Sequence, residues 1–394
     1  MFFDADNDGD KDLYVVSAGN EYPLNVKSIQ DRLYINEKGK FINRKGLPEI
    51  YQHGSVVINY DYDQDGDQDL FVGGRVVPGE YGYSPVSYLL TNNGDGSFKI
   101  DNNNILKNFG MITDAKWEDM NGDGIKDLIT CGDWNNIKIL INENGKLRED
   151  TDFIGNKKFG WWFSIETADF NNDGLMDIIA GNIGNNSKLK PTNENPIKMY
   201  VGDFDNNSNI EHIITYRKGF KEFPVSNKDE LTKQLNYLNR DFFYYRDFAG
   251  LDINEIFSEE ILSKNKVLFT NEFSSILFIN DGESFSVKEL PLISQISPVR
   301  DIQVLDYNND NILDILLFGN LSSVSTYFGS FDSSYGILLN GNGNATFNYI
   351  NQAKSGLKIR GDITKVLPLD KNKSKFVLGK NNDRLSIISL VDEH

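Results

Sequence analysis

One nine-residue pattern constrains this chain more than any other feature. DADNDGDKD begins at Asp4, and Asp or Asn at positions 1, 3 and 5 with an acid at position 9 recurs from Asp61, Asp119, Asp169, Asp203 and Asp306. A degenerate copy begins at Asp370. The first intervals are 57, 58 and 50 residues. A fixed period means one structural unit used repeatedly. Residues 54–100 show the unit whole: Ser55–Tyr60, the acidic loop, Leu70–Val72, then Tyr88–Leu90 and Ser97–Ile100. These runs are short, β-branched or aromatic, and bounded by turn formers, so each reads as a strand. Four antiparallel strands per unit, repeated around an axis, make a β-propeller. The expectation is an all-β propeller of about seven blades, alternatively six, forming a single domain over 1–394.

The loops have the chemistry of a hard cation site. In the first, Asp4, Asp6, Asp8 and Asp12 fall at positions 1, 3, 5 and 9, and Asp10 at position 7 offers a carbonyl. The second uses Asp61, Asp63, Asp65, Asp67 and Asp69 in the same way. The third uses Asp119, Asn121, Asp123, Ile125 and Asp127, and the fourth Asp169, Asn171, Asp173, Leu175 and Asp177. The fifth has Asp203, Asp205, Asn207, Asn209 and Glu211, with Ser208 in place of glycine. The sixth has Asp306, Asn308, Asp310, Ile312 and Asp314, with Asn311 in that place. Oxygen ligands at this spacing suit calcium, which takes six to eight of them. Zinc would call for His or Cys, which the loops lack. An EF-hand would place Glu at position 12, where these loops carry Val15, Val72, Thr130, Ala180, Ile214 and Leu317. Five or six calcium ions are expected, and none at the Asp370 loop. The six loops hold 22 of the chain's 58 acids, and six divalent ions would bring the formal charge from −18 to −6.

The spacing breaks twice: 34 residues from Asp169 to Asp203 and 103 from Asp203 to Asp306. The excess contains helical patterns, with Ser226 read as the cap of one and Asp252 followed by Glu255 as the capping box of another. Residues 218–265 are therefore read as a helical insertion within one blade. The strong negative charge argues against nucleic acid and anionic membranes as partners. No run of 18 apolar residues exists to span a bilayer. The lone Cys131 sits in an apolar run and reads as a core thiol. The start, MFFDADNDGD, carries no signal-peptide pattern and reads as a strand entered mid-repeat, so the chain is expected to be part of a longer protein.

The loops and the runs that follow them (DLYVVSAG, DLFVGGR, DLITCG, DIIAGN) resemble the FG-GAP or VCBS repeats of integrin α-subunit heads and of bacterial surface proteins with FG-GAP and ASPIC/UnbV segments. That resemblance implies a propeller, calcium and an extracellular or cell-surface location; it implies no particular reaction. The 218–265 insertion departs from the integrin pattern.

Signatures of catalysis are scarce: three histidines and no G-x-S-x-G, H-E-x-x-H or P-loop. The expected role is a binding or adhesion module for a glycan or protein partner. The alternatives are a lyase-like propeller enzyme on polysaccharide and a purely structural domain of a surface assembly. If the acidic loops join the first two strands of each blade, the remaining loops lie at the opposite end. The residues expected to line a ligand site there are Arg75, Tyr81, Trp134, Trp161, Trp162, Asn182, Asn185, Arg300 and Tyr335. Exposed aromatics beside Arg and Asn suit stacking on a sugar ring.

Overall fold

Where the pattern recurs, the chain folds into a small antiparallel sheet. The computed structural model describes residues 1–19, 26–101, 104–150, 157–325 and 328–390, in seven sheets. Sheet 1 holds β1 (Phe2–Phe3), β2 (Asp12–Val15), β3 (Arg32–Glu37) and β4 (Lys40–Arg44). Sheet 2 holds β5 (His53–Tyr60), β6 (Asp69–Val76), β7 (Tyr88–Asn92) and β8 (Phe98–Ile100). Sheet 3 holds β9 (Met111–Glu118), β10 (Asp127–Asn135), β11 (Lys138–Asn142) and β12 (Leu147–Glu149), with the short β13 (Gly160–Trp161) added beside β10.

Sheet 4 starts with β14 (Ser164–Ala168) and β15 (Asp177–Gly181) and then stops. The chain next builds all of sheet 5: β16 (Ile197–Gly202), β17 (Glu211–Lys218), β18 (Lys221–Pro224) and β19 (Lys266–Thr270), in the order β18-β17-β16-β19. It then returns to sheet 4 with β20 (Ile276–Asn280) and β21 (Phe285–Glu289), and β20 pairs directly with β15, Ile179 opposite Leu277. This nesting accounts for both irregular spacings. The Asp203 loop belongs to a sheet inserted inside another. Sheet 6 holds β22 (Val299–Leu305), β23 (Asp314–Gly319), β24 (Ile337–Gly341) and β25 (Phe347–Ile350). Sheet 7 has three strands, β26 (Ile363–Pro368), β27 (Lys375–Lys380) and β28 (Ser386–Ser389).

Between β18 and β19 run five short helices: α1 (Lys228–Gln234), α2 (Leu238–Asp241), α3 (Tyr245–Phe248), α4 (Ile253–Ile256) and α5 (Glu259–Lys264). Asp252 and Glu255 form the expected capping box of α4. The cap of α1 is Asn227, which accepts from the Glu230 N–H, and not Ser226. Ser226 lies one residue too early for its oxygen to serve the first turn, and it is buried. The helices bury Leu231, Leu235, Leu238, Ile253 and Ile256 against Tyr200 and Ile213 of sheet 5 and Phe204 of its acidic loop.

The chain divides into two compact units. The first comprises residues 1–57, 71–111 and 189–272. Within it Phe3 of sheet 1 meets Phe98 of sheet 2 with ring centroids 6.2 Å apart. Sheet 5 meets the β6–β7 loop there: His212 Nε2 lies 2.6 Å from the Tyr81 carbonyl, and Lys266 Nζ donates to the Gly82 carbonyl. Gly82 has φ +97°, and a Cβ on it would lie 2.7 Å from Val201, so backbone freedom and close approach both require glycine.

The second unit comprises residues 58–70, 112–188 and 273–394. Its sheets stack face to face. Ile178, Ala180, Ile276 and Phe278 of sheet 4 pack on Ile129 and Cys131 of sheet 3. The alternate residues Ile179 and Leu277 pack on Ile315 and Leu317 of sheet 6. Leu316, Phe318 and Leu338 of sheet 6 pack on Val366, Phe376 and Leu378 of sheet 7. Strands such as β15 and β23 are thus buried on both faces, which explains why they read as unbroken apolar runs instead of alternating. Each fully buried aliphatic side chain contributes about 1.5–3 kcal/mol. Cys131 is one of these buried residues; desolvation raises its thiol pKa, consistent with an inert core role.

Candidate metal centres

Five of the acidic loops link the first two strands of their sheets, and the Asp203 loop links β16 and β17, the two inner strands of sheet 5. All six share one backbone design. The residue at position 4 takes the left-handed conformation: Asn7 (φ 59°), Gln64 (62°), Gly122 (77°), Asn172 (58°), Asn206 (57°) and Asn309 (58°). So does position 6, including Ser208 (68°) and Asn311 (64°), the two replacements for glycine. Asn tolerates this conformation better than other L-residues do. The bend aims the position-6 N–H at the position-1 carboxylate: Gly9 to Asp4 at 3.0 Å, Gly66 to Asp61 at 3.1 Å, Gly124 to Asp119 at 2.8 Å and Ser208 to Asp203 at 2.8 Å. The position-7 N–H donates to the position-5 side chain, as Asp10 does to Asp8 and Ile125 to Asp123. In the first loop the carboxylates at positions 1, 3 and 5 are thereby turned toward one another.

The loops then differ at position 3. Where it is Asp, three carboxyl groups offer oxygens within 4.8 Å of one another: Asp4, Asp6 and Asp8; Asp61, Asp63 and Asp69; Asp203, Asp205 and Glu211. Where it is Asn, its amide donates to the position-5 acid, as in Asn121 to Asp123, Asn171 to Asp173 and Asn308 to Asp310. In the Asp-type loops, buried oxygens of Asp4, Asp6, Asp10, Asp61 and Asp205 have no hydrogen-bond partner among the described residues. Burial, then the charges of Asp12 and Asp8, push the Asp6 pKa up, and burial does the same to Glu211. Crowded carboxylates with orphaned oxygens fit a divalent hard cation.

The position-9 acid does more than the sequence reading assigned to it. It is buried, and it accepts the position-2 N–H of its own loop: Ala5 to Asp12 at 2.7 Å, Met120 to Asp127 at 3.0 Å, Phe170 to Asp177 at 2.9 Å, Phe204 to Glu211 at 2.9 Å and Tyr307 to Asp314 at 2.9 Å. Its other oxygen accepts from the end of the third strand: Asn36, Asn142, Asn280 and Gly341 donate to Asp12, Asp127, Asp177 and Asp314. Desolvation raises the pKa of both Asp127 and Asp177 to about 6. This acid staples three segments of its sheet, whatever it contributes to an ion.

The third-strand asparagine completes a link that sequence reasoning missed. Its side-chain amide reaches the preceding sheet: Asn92 to the Ala5 carbonyl at 2.8 Å, Asn142 to Tyr62 at 2.9 Å and Asn280 to Met120 at 3.1 Å. Its side-chain oxygen accepts from the turn glycine, Gly94, Gly145 or Gly282. The signal was present as the Asn-Gly and Asn-Asp-Gly after the third run, which marked a turn and also a bridge.

Three of the residues expected to line a ligand site away from the acidic loops are buried in the core. Trp162 is fully buried among Ile129, Cys131, Ile165 and Phe278. Asn182 is fully buried, its oxygen accepting from the Trp161 and Ile183 N–H groups. Trp134 is buried too. In these three the inter-sheet core extends to the strand ends and takes the side chains in. Trp161 remains partly exposed, with ring centroids 5.1 Å from Trp134, 4.8 Å from Phe273 and 5.7 Å from Phe328. Asn185 donates to Ser274, and the Arg300 guanidinium lies over Phe163. Tyr335 is half-buried under Arg360. Arg75 and Tyr81 are also partly exposed, and Tyr81 packs edge-on to His212.

Repeated acid-loop sheets of this kind define an all-β, propeller-type fold with a helical insertion. Residues 4–72, 61–130 and 119–180 each match the FG-GAP-like repeat, so this part of the chain carries three FG-GAP-like repeats. Each match runs from one acidic loop through the next and into the second strand of the following sheet. No curated protein matches the chain in sequence. Among solved structures it is similar to the V. cholerae biofilm matrix protein Bap1, at 9% identity and a TM-score of 0.34 over 99% of this chain and 76% of that one. Among the described residues no helix is long and apolar enough to cross a membrane.

Proposed function

We propose that the chain is a calcium-stabilised binding module that works outside the cell, taking a glycan at Trp161, beside the end of the second strand of sheet 3. The observation that carries this reading is the set of loops whose buried carboxylate oxygens lack partners while lying within 4.8 Å of other acids. Asp4, Asp6 and Asp8, then Asp61, Asp63 and Asp69, then Asp203, Asp205 and Glu211 would hold the ions. Calcium there neutralises charge and fixes the hairpins. Modules with such sites load at the high calcium levels of extracellular fluid.

The ligand end rests on Trp161, which the buried Trp134 supports. Trp134 has φ +54°, a conformation that costs a bulky residue on the order of 1–3 kcal/mol. The strain sets its indole against Trp161, whose partly exposed ring offers a stacking surface. Calorimetric titration of chelated protein with calcium, followed by a glycan array with wild type and Trp161→Ala, tests both halves. Calcium should bind with a matching rise in melting temperature, and Trp161→Ala should lose the glycan signal while keeping the calcium response. Absent binding heat together with unchanged melting would overturn the metal assignment. A Trp161→Ala array identical to wild type would remove the site.

A further inference from the structure

An acidic loop is finished by the sheet that follows it. The carbonyl at position 2 accepts a hydrogen bond from the next sheet in four places. Ala5 accepts from the Asn92 amide at 2.8 Å, Tyr62 from Asn142 at 2.9 Å, Met120 from Asn280 at 3.1 Å and Phe170 from the Ala345 N–H at 3.0 Å. Each donor stands at the end of a third strand or in the turn after it. The same turns press on position 3. A Cβ on Gly96 would lie 3.5 Å from the Asp6 Cβ, and one on Gly145 would lie 3.0 Å from the Asp63 Cβ. Asp6 and Asp63 belong to loops in which three carboxyl groups converge.

The contact is most complete at the Asp61 loop. Tyr62 stands between Asp61 and Asp63, and both of its backbone groups are held. Its N–H donates to Asp69 of its own sheet at 3.3 Å, and its carbonyl accepts from Asn142 of sheet 3. Asn142 is fully buried. Its own N–H donates to Asp127 at 2.8 Å, and its side-chain oxygen accepts from the Gly145 N–H at 2.9 Å. Gly145 has φ +84°, so both its conformation and its distance from Asp63 call for glycine. One buried side chain thus joins the loop of sheet 2 to the position-9 acid of sheet 3.

We infer that Asn142 and Gly145 are positioning residues for the cation site of sheet 2, although they belong to sheet 3. The inference rests on the calcium reading above. Carboxylates crowded into one loop repel one another. The bond from Asn142 to Tyr62 and the contact of Gly145 with Asp63 fix the spacing of the two ligands before an ion arrives. Outer partners of this kind typically change metal affinity about 10–100-fold. By linkage, an ion at Asp61 and Asp63 steadies the β11–β12 turn by the same factor.

Calorimetric titration of calcium into the chelated full chain tests this. Wild type is compared with Asn142→Ala, Gly145→Ala and Asn280→Ala, each also combined with Asp61→Asn, and a thermal melt in chelator checks that every variant is folded at the titration temperature. Asn142→Ala and Gly145→Ala should each weaken one site about 10–100-fold, and neither should have that effect once Asp61→Asn has removed the site. Asn280→Ala removes the equivalent link one sheet further on and should leave the Asp61-dependent part of the isotherm unchanged. Gly145→Ala keeps the inference testable if Asn142→Ala does not fold. Asp61-dependent binding that neither variant weakens overturns the inference and leaves the calcium reading standing. An equal loss in all three variants overturns it too, since general destabilisation then accounts for the effect. A wild type that takes up no calcium overturns both.

Discussion

Replacing Asp177 by alanine separates the stapling role of the position-9 acid from any role in holding an ion. Asp177 has no solvent exposure, and its two oxygens accept from the Phe170 and Asn280 N–H groups, both at 2.9 Å. The alanine variant leaves two buried donors without acceptors. An unsatisfied buried polar group costs about 1–3 kcal/mol, so the loss should be about 2–6 kcal/mol. That is a large part of a typical folding stability of roughly 5–15 kcal/mol. The control is Asp173→Ala in the same loop: Asp173 is exposed, and its carboxylate accepts from the Leu175 N–H and the Asn171 amide. In chelator it should cost no more than about 1 kcal/mol. Urea unfolding of both variants, in chelator and in calcium, provides the comparison. Asp177→Ala should be strongly destabilised in both media, and Asp173→Ala mainly in calcium. If Asp177→Ala matches wild type in chelator and loses stability only in calcium, the staple is not what holds the sheet.

Three further outcomes are expected. Chelation should lower the melting temperature of wild type, since ligand at 100 times its Kd stabilises by about 2.7 kcal/mol per site, and Asp65→Ala should remove only part of the calcium increment in a thermal scan. Ser208→Gly should raise stability by up to about 1 kcal/mol in a urea melt, because Ser208 sits at φ 68° and glycine does not resist that conformation. Asp31 has its pKa raised to about 6, chiefly by burial, although it accepts from the Tyr14 hydroxyl and the Ser17 N–H. A raised carboxylate favours the fold most below its unfolded pKa, and that contribution is lost as pH rises through about 6. Asp31→Asn should therefore gain stability relative to wild type at pH 8 and little at pH 4, by at most about 3 kcal/mol.

The acidic loops, their turn glycines and the strands around them were legible because they are local and repeated. The Ser208 and Asn311 departures were legible for the same reason, since the backbone demand of position 6 is fixed by its place in the loop. The position-9 acid was legible as an acid but not as a staple, because its second partner comes from a strand distant in sequence. For Asp177 that partner, Asn280, is 103 residues away. The ligand end was least legible. Trp161 and Trp162 are adjacent and chemically identical, and only the packing of sheet 3 on sheet 4 decides that Trp162 is core and Trp161 reaches the surface. The inserted sheet was visible only as two wrong spacings, because an insertion between strands two and three leaves every individual strand signal intact.

That insertion sets an order on folding. The link between the second and third strands of sheet 4 spans residues 182–275, whereas the same link in sheet 6 spans 320–336. Closing the longer loop costs about 1.5 kcal/mol more in chain entropy. The β16–β17 hairpin inside it closes over eight residues and can form early. The neck of the excursion is already drawn together where the Gly184 N–H donates to the Phe273 carbonyl at 2.8 Å. A chain emerging from the ribosome thus has half of sheet 4 waiting, with one edge of β15 unpaired, until sheet 5 has been made. During that interval the apolar β15 is the strand most open to a wrong partner.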